Sequence, residues 1–294
     1  MIDLPPPPEG RTGWPWTVPS PTALPRGDWP RISIVTPSFN QAQFLEQTLR
    51  SVLLQGYPNL EYIVIDGGST DGSVDILRKY GPWLSYWISE RDEGQVDAIN
   101  KGLARATGEW LAWQNSDDIY YPGALRAVAE AARRYPHASL IIGNVTLIDA
   151  KDCALTDLRY VRPTYRSVLA EGMVLTNQAT FWRRDAHVSA GRLDGSFSCA
   201  FDYDWFLRVL QNGPACHVDR RLGGYRIYAD TKTARFAERC LEEQARIRKG
   251  RELPRSVVAW YRARRLSLLL AHGHAYYVVR ALLRRAAGIR KDLP

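Results

Sequence analysis

The feature that most restricts the fold is the alternation of short apolar runs with amphipathic stretches after residue 30. Buried strands are predicted at Ile32–Val35, Tyr62–Ile65, Ser85–Ile88, Trp110–Gln114 and Leu140–Ile142. Helices are predicted between them at Gln41–Gln55, Ser73–Tyr80, Val96–Ala106 and Gly123–Tyr135. Strands and helices that alternate at this spacing form a mostly parallel sheet with helices on both faces. The predicted class is therefore α/β.

The alternation weakens after Ala150 and gives way to a helical end. A strand is predicted at Thr180–Trp182, and helices at Tyr203–Leu210, Ala234–Lys249 and Val257–Leu283, the last broken near Gly273. The chain thus divides into an arm (1–30), a body (31–233) and a C-terminal helical extension (234–294).

The arm is rich in proline and tryptophan. It holds 9 of the 18 prolines, together with Trp14, Trp16 and Trp29. Proline at this density excludes a helix or a central strand. Because three tryptophans are costly to leave in water, we expect the arm to lie extended against the body. The alternative is a disordered linker.

Positive charge is concentrated in the extension. The chain has 39 Lys and Arg against 31 Asp and Glu, a net charge of +8, and residues 234–294 hold 15 basic and 5 acidic side chains. An enzyme acting on nucleic acid more often spreads positive charge around its cleft, so we expect no nucleic-acid partner.

Cysteine usage and the N-terminus favour a cytoplasmic protein. The four cysteines (Cys153, Cys199, Cys216 and Cys240) form no C-x-x-C pair, which disfavours a disulfide framework or a structural zinc site. The first ten residues lack the basic and apolar regions of a secretory signal. No window reaches the roughly 18–20 apolar residues of a membrane span.

Polar residues follow the predicted strands. They are Thr36, Ser38 and Asn40, then Asp66, Ser69 and Asp71, then Asn115, Ser116, Asp117 and Asp118. Ligands of open α/β sheets bind beyond the carboxyl ends of the strands. Adjacent carboxylates repel each other unless a cation is near, and hard divalent cations combine carboxylates with substrate phosphates. We therefore predict a metal-bridged diphosphate; alternatively, Asp117 and Asp118 cap the next segment.

Three common nucleotide or hydrolase signatures are missing from the sequence. There is no G-x-G-x-x-G after the first strand and no G-x-x-x-x-G-K-[ST], which disfavours dinucleotide-binding dehydrogenases and P-loop NTPases. There is no G-x-S-x-G turn, which disfavours an α/β-hydrolase.

Four segments taken together resemble the family 2 glycosyltransferases, which have a GT-A fold. They are Thr36–Asn40 (TPSFN), Ile65–Ser73 (IDGGSTDGS), Gly94–Gly102 (GQVDAINKG) and Asn115–Asp118 (NSDD). The resemblance extends over about 31–233, with a nucleotide-sugar half (31–150) and an acceptor half (151–233). Each segment alone is a weak signal, but four in order with this spacing are specific.

The resemblance implies an inverting transfer of a sugar from a UDP, GDP or dTDP sugar to a hydroxyl, on a glycan or a lipid-linked glycan. It implies a divalent cation, Mn²⁺ or Mg²⁺, held by Asp118, with Asp202 as the general base. The implied donor-binding residues are Thr36, Pro37, Phe39, Asn40, Asp66, Gln95, Asn100, Ser116, Asp117, Arg226, Tyr228 and Lys232. Asn177 and Gln178 are expected to face the sugar or the acceptor.

Three residues depart from the family pattern. Gly67 stands where many relatives have a second Asp, Tyr228 where they usually have His, and Phe201 where they have an acid before the base. Tyrosine donates a hydrogen bond but brings no positive charge at neutral pH. Gly67 and Tyr228 leave open a non-catalytic sugar-nucleotide-binding protein. A nucleotidyltransferase is a less favoured alternative, because Thr36–Asn40 is neither Gly-rich nor basic, as its loop after the first strand would be.

The extension has two interpretations. Arg262, Arg264 and Arg265 precede the apolar run 266–270, a pattern typical of a helix on an anionic membrane surface. In that case the protein is peripheral on the inner face of the membrane. Alternatively, the helix packs on the body and its arginines are solvated.

Overall fold

The computed structural model describes residues 2–21, 24, 27–229, 231 and 236–279. The strands are β1 (Ile32–Ser38), β2 (Leu60–Asp66), β3 (Tyr86–Ser89), β4 (Trp110–Trp113), β5 (Ile119–Tyr120), β6 (Leu140–Ile148), β7 (Ala154–Leu158), β8 (Thr180–Arg183) and β9 (Ala215–Arg226). The helices are α1 (Ala42–Leu53), α2 (Ser73–Tyr80), α3 (Gln95–Arg105), α4 (Ala124–Arg134), α5 (Tyr165–Glu171), α6 (Arg184–Ala190), α7 (Phe201–Gln211), α8 (Ala237–Arg248) and α9 (Arg255–Ala271).

These strands form one sheet in the order β3-β2-β1-β4-β8-β6-β9-β5, with β7 beside β6. The half built from β1 to β4 is parallel, as the alternation predicts. The other half is mixed, because β8, β7 and β5 run antiparallel to their neighbours while β9 is parallel to β6. The parallel half therefore brings the ends of β1, β2 and β4 to one edge.

The core lies on both sides of this sheet. All seven residues of β1 are buried, which explains its continuous apolar sequence. A cluster of aromatic rings surrounds Trp113 at the end of β4: Trp182, Phe201, Trp205 and Phe206 have ring centroids 5.2 to 6.3 Å from it. This cluster joins α7 to the strand that leads into residues 114–118.

The arm lies against the body, in agreement with the expectation from its tryptophans. The indole N–H of Trp14 donates to the Tyr120 carbonyl at 2.7 Å. Arg50, buried in α1, donates to the carbonyls of Pro5 (2.7 Å) and Pro15 (3.2 Å) and lies over the Trp16 ring.

The extension contacts the body through both of its helices. Glu243 of α8 binds the segment before α7, and Arg265 of α9 pairs with Glu171 of α5 at 2.6 Å. Leu269 is fully buried. Within the described ranges no helix has the length and apolar character needed to cross a membrane.

Several elements differ from the sequence expectations. β6 runs six residues beyond the predicted Leu140–Ile142, and α9 ends at Ala271, before Gly273 adopts a φ of 79°. The 12-residue β9 was not predicted, because charged residues 219–221 interrupt its apolar pattern. Residues 234–235 and 280–283 of the predicted helices lie outside the described residues.

Candidate active site

The predicted strand-end loops meet at one edge of the sheet. Ser38 at the end of β1 is in register with Asp66 at the end of β2, and Val35 is in register with Trp113 of β4. The segments after these three strands therefore lie side by side, as the parallel arrangement requires.

Asp66 organises this edge. Its carboxylate is fully buried and accepts hydrogen bonds from the hydroxyls of Ser38 (3.0 Å), Ser69 (2.6 Å) and Ser89 (2.7 Å). The backbone N–H groups of Gly68 (3.2 Å) and Ser69 (2.9 Å) also donate to it. The carboxylate expected on the nucleoside side thus already has five donors from the ends of three strands, which makes it a fixed support for the loop.

The loop after β1 presents one aromatic side chain to solvent. Thr36 and Pro37 are buried, and the Thr36 hydroxyl lies 3.0 Å from that of Tyr62. Asn40, at a φ of 50°, accepts from the Thr70 N–H (2.9 Å), and its own N–H donates to Ser69 (2.7 Å). Phe39 is 59% exposed. Of these four expected donor residues, Phe39 and Asn40 are exposed, and Phe39 offers an aromatic face to a ligand.

Asp92, which sequence reasoning missed, lies against Gly67. A Cβ on Gly67 would be 2.7 Å from Oδ2 of Asp92, while Oδ1 accepts from the Gly94 N–H at 2.8 Å. The Gly67 N–H donates to the Ser38 carbonyl, directly before Phe39. The carboxylate of Asp92 therefore occupies the space that a side chain at position 67 would need.

Asp118 is 1% exposed, and the protein itself binds both of its oxygens. Oδ1 accepts from the backbone N–H of Arg226 at 2.8 Å. Oδ2 accepts from the side-chain amides of Gln178 (2.8 Å) and Asn115 (3.0 Å). Three donors from other parts of the chain therefore hold the Asp118 carboxylate in place.

Asp117 has a more open environment. It is partly exposed, and Oδ2 accepts one hydrogen bond, from the Tyr228 hydroxyl at 3.0 Å. Tyr228 also lies 3.4 Å from the Gln41 amide, and its ring packs on Phe44. Tyr228, which stands where relatives usually have His, thus contacts the carboxylate of Asp117.

Both adjacent carboxyl groups have raised pKa values. Burial raises the pKa of Asp117, against the opposing hydrogen bond from Tyr228 and the charge of Arg226. Burial, and then the charge of Asp117, raise the pKa of Asp118 to about 8. A cation at such a pair would favour the ionised forms. The pair therefore fits a divalent ion.

The described residues supply only part of a coordination shell at this pair. Within the described ranges no three His, Cys, Asp or Glu side chains group closely enough to hold a metal. Divalent ions at diphosphate sites commonly bind one or two carboxylates, with substrate phosphates and waters completing the shell. The arrangement at Asp117 is of this kind.

Arg226 does not have the placement expected of a residue that reaches the donor diphosphate. It is 1% exposed, and its guanidinium donates to the Asp117 carbonyl (2.7 Å), the Asp149 carbonyl (2.9 Å) and Gln47 (3.1 Å). It also pairs with Asp152 at 2.7 Å. The buried guanidinium therefore fixes the loop that carries Asp117 through these hydrogen bonds and this ion pair. Lys232, the other expected cation, lies outside the described residues.

Three further expected residues hold the backbone around the site. Gln95 donates to Asn115 at 3.0 Å. Both polar atoms of the Asn100 amide bind the backbone of Leu193, at 2.9 and 3.0 Å, and so are not available to a donor. The Ser116 carbonyl accepts from Thr48 at 2.9 Å.

Asn177 and Gln178 lie in a short 3₁₀ helix directly before β8, and both are buried. The Gln178 amide donates to Asp118, so Gln178 lies on the buried side of the two adjacent carboxylates.

Asp202 lies in the first turn of α7 and is partly exposed. Its neighbour Phe201 packs on Trp113, with 6.3 Å between the ring centroids. The start of α7 therefore approaches the end of β4, from which the chain continues to Asp117.

Comparison with known proteins identifies the family. Residues 33–153 match the model described as glycosyl transferase family 2. An uncharacterized glycosyltransferase of Mycobacterium tuberculosis (strain H37Rv) is 33% identical over 183 residues, which cover 61% of this chain and 69% of the relative. The chain belongs to glycosyltransferase family 2. A PGL/p-HBAD biosynthesis glycosyltransferase of Mycobacterium bovis is 29% identical to this family 2 protein over 187 residues, which cover 62% of the chain and 71% of the relative.

Solved structures confirm the GT-A-like fold of this glycosyltransferase. S. aureus TarS 1–349 in complex with UDP-GlcNAc aligns with a TM-score of 0.61 at 15% identity, covering 79% of this chain and 71% of that one. The mannosyltransferase PcManGT from Pyrobaculum calidifontis, in complex with GDP-Man and Mn²⁺, aligns with a TM-score of 0.58 at 18% identity, covering 93% and 83%.

Proposed function

We propose that this glycosyltransferase moves a sugar from a nucleoside diphosphate sugar to a hydroxyl acceptor, with inversion and with a divalent cation. The observation that carries the proposal is the partly exposed carboxylate of Asp117 after β4, beside the buried carboxylate of Asp118, which three donors hold. The solved relatives support it, since TarS is bound to UDP-GlcNAc and PcManGT to GDP-Man and Mn²⁺.

In this proposal Asp117, rather than Asp118, binds the cation. Three protein donors engage Asp118, whereas among the described residues the side-chain donor to Asp117 is the Tyr228 hydroxyl. The cation, Mn²⁺ or Mg²⁺, would neutralise the charge of the departing diphosphate. Asp118 and Arg226 then do not contact the cation, and their buried hydrogen bonds fix the loop that carries Asp117.

Asp202 is the proposed general base. Its carboxylate takes the proton of the acceptor hydroxyl while the hydroxyl oxygen bonds to the anomeric carbon and the bond from that carbon to the diphosphate oxygen breaks. One displacement inverts the anomeric carbon and needs one carboxylate, whereas retention by double displacement needs two.

The base of the donor is proposed to lie between Phe39 and Asp92. An exposed aromatic ring offers a stacking face, and a carboxylate oxygen accepts from an N–H group. Uracil, thymine and guanine carry such a ring N–H, so the site suits UDP, dTDP or GDP sugars.

The experiment that tests this function measures nucleoside diphosphate release from UDP-N-acetylglucosamine, UDP-glucose, dTDP-glucose and GDP-mannose, with Mn²⁺ and with EDTA. Turnover that requires Mn²⁺ and falls to a small residual rate in Asp202→Asn supports the proposal. Asp204→Asn is the matched control, because Asp204 lies in the same helical turn and pairs with Arg208. Full turnover in EDTA, or in Asp202→Asn, would contradict it.

The acceptor is proposed to be a glycan or a lipid-linked glycan at an anionic membrane surface, in bacterial-type surface polysaccharide assembly. Trp260 and Tyr276 of the extension are exposed, and so are Arg255 and Arg262 of α9. Aromatic and basic side chains together favour an anionic interface. Cosedimentation with phosphatidylglycerol vesicles should fall in a Trp260→Ser, Tyr276→Ser variant and not in Val188→Ser. Equal binding of all three proteins would contradict this surface.

A further inference from the structure

One carboxylate from the C-terminal extension binds the segment that precedes the helix of Asp202. Oε1 of Glu243 accepts from the N–H and the hydroxyl of Ser198, both at 3.0 Å. Oε2 accepts from the N–H groups of Cys199 (2.8 Å) and Ala200 (2.9 Å). Glu243 lies on α8, 43 residues from Ala200 in sequence, and the residue is 6% exposed.

The start of α7 lacks a cap of its own. Its N-cap residue is Ala200, whose side chain has no acceptor, and no side-chain hydrogen bond caps the helix. N–H groups at a helix start need partners from outside the helix, and negative charge is favourable there. Glu243 places a negative charge at this helix start and accepts from the N-cap N–H of Ala200 and from the two N–H groups just before it.

Glu243 is ionised at neutral pH in this position. Burial alone would raise its pKa, but the hydrogen bonds from Ala200, Ser198 and Cys199 outweigh burial and lower the pKa to about 2. Arg239 on the preceding turn of α8 lies 3.3 Å from the carboxylate.

Other residues of α8 contact the same segment. The Cys199 thiol lies 4.0 Å from the Phe236 carbonyl, and the Cys240 thiol, whose pKa is raised by burial and by Cys199, adjoins it. Phe236, Cys240 and Glu243 are three or four residues apart, the spacing of one helix face. This face of α8 therefore holds the segment 198–200.

We propose that Glu243 is a positioning residue for Asp202, which makes α8 part of the catalytic unit. The inference rests on the proposed function, in which Asp202 is the base. Asp202 lies two residues after Ala200, so the hydrogen bonds at 198–200 fix the turn that carries its carboxylate.

The consequence concerns turnover rather than donor binding. Without the carboxylate, three backbone N–H groups lose their acceptor and the first turn of α7 loosens. A shift of about 1 Å in a reacting group can lower a rate by about 100-fold. The donor contacts proposed at Phe39, Asp92 and Asp117 lie at the ends of other elements and should be unaffected.

The test compares E243Q with E242Q, since Glu242 is the exposed neighbour on α8. Hydrogen exchange should show faster exchange of the 198–200 amides in E243Q and wild-type exchange in E242Q. With the most active sugar nucleotide of the panel and Mn²⁺, E243Q should lower kcat by about 10- to 100-fold with an unchanged donor KM. E243D, which keeps the charge on a shorter side chain, should give an intermediate kcat and serves as a second folded variant.

A double-mutant cycle separates positioning from a general structural role. If Glu243 acts through Asp202, E243Q should add no further loss of kcat in a D202N background. Independent, multiplying losses would overturn the proposal, as would unchanged amide exchange or unchanged kcat in E243Q. Normal turnover in D202N would remove the proposed base itself, whereas loss in D202N with normal turnover in E243Q would overturn the role of Glu243 alone.

Discussion

At the scale of single residues, Asp117 and Asp118 are adjacent in the chain but have different surroundings. Three donors fix Asp118 inside the core, and the Tyr228 hydroxyl donates to Asp117. The more exposed carboxylate is the better candidate for binding a cation, and the buried one, held by three donors, stabilises the loop. The two residues should therefore respond differently to the same substitution.

Asp118→Asn should destabilise the fold. An amide NH₂ would face donors on at least one side, leaving buried groups unpaired at a cost of about 1–3 kcal/mol. Thermal unfolding should show a lower Tm, by about 2–4 °C for each kcal/mol in a chain of this size class. Asp117→Asn should keep a Tm near that of the wild type. Equal losses in the two variants would contradict the different roles.

Gly67→Ala should weaken nucleotide binding. The new methyl would lie 2.7 Å from Oδ2 of Asp92, so the carboxylate must move away from the proposed base site. Calorimetric titration with UDP and GDP in Mn²⁺ should give a higher Kd for whichever nucleotide binds the wild type. Gly195→Ala is the control, since nothing lies within 4 Å of a Cβ there. Unchanged affinity in Gly67→Ala would show that Asp92 is not at the base.

At the scale of elements, a buried carboxylate joins β1, β2 and the turn after α3. Glu61 accepts from the Ser33 hydroxyl, the Thr107 N–H and hydroxyl, and Arg31. Burial would raise the pKa of Glu61, but these hydrogen bonds and the Arg31 charge outweigh it and lower the pKa.

The lowered pKa of Glu61 predicts a contribution to acid stability. Its ionised form stabilises the fold above the unfolded pKa, near 4.5, and this contribution is lost as pH falls through the lower folded pKa. Glu61→Gln should therefore reduce the free energy of unfolding at pH 7 and flatten its decline below pH 4.5. Denaturant unfolding at several pH values measures both, and a parallel curve shifted equally at all pH values would contradict this.

The elements that sequence predicts well are those with a uniform environment. β1, β2 and α1 to α4 follow from apolar runs and helical spacing, because each is buried on a constant face. β9 did not, since its burial changes along its length as it passes from the core to solvent and back.

In the site, too, some features could be predicted from the sequence and others could not. The strand-end loops could be located from sequence, because parallel strands end at one edge. Three features of the site depend on tertiary contacts between segments far apart in the chain. They are the different roles of Asp117 and Asp118, the buried hydrogen bonds of Arg226 and the approach of Asp92 to Gly67. Local spacing carries no information about these.

At the scale of the whole molecule, the described parts of the arm and of the extension pack on the catalytic body. Arg50 ties the arm to α1 by donating to Pro5 and Pro15 and also to the Tyr80 hydroxyl at 3.1 Å. Glu243 and Arg265 tie the extension to α7 and α5. The ends therefore support helices that border the site.

Arg50→Lys should release the arm. A single ammonium group cannot reproduce the planar set of donors that binds two carbonyls and a hydroxyl while lying over Trp16. Limited proteolysis should then cleave within residues 1–30 faster than in the wild type, and the body should stay intact. Equal cleavage rates would contradict the role of Arg50 in holding the arm.

The position of the cation tests the central claim most directly. Crystals grown with Mn²⁺ and the tightest-binding nucleoside diphosphate would locate the ion by anomalous scattering. The account predicts a peak at coordination distance from the Asp117 carboxylate and from the diphosphate, with the Asp118 carboxylate still bound to Arg226 and Gln178. A peak held by Asp118 with Asp117 turned away, or a bound diphosphate with no Mn²⁺ beside it, would contradict the account.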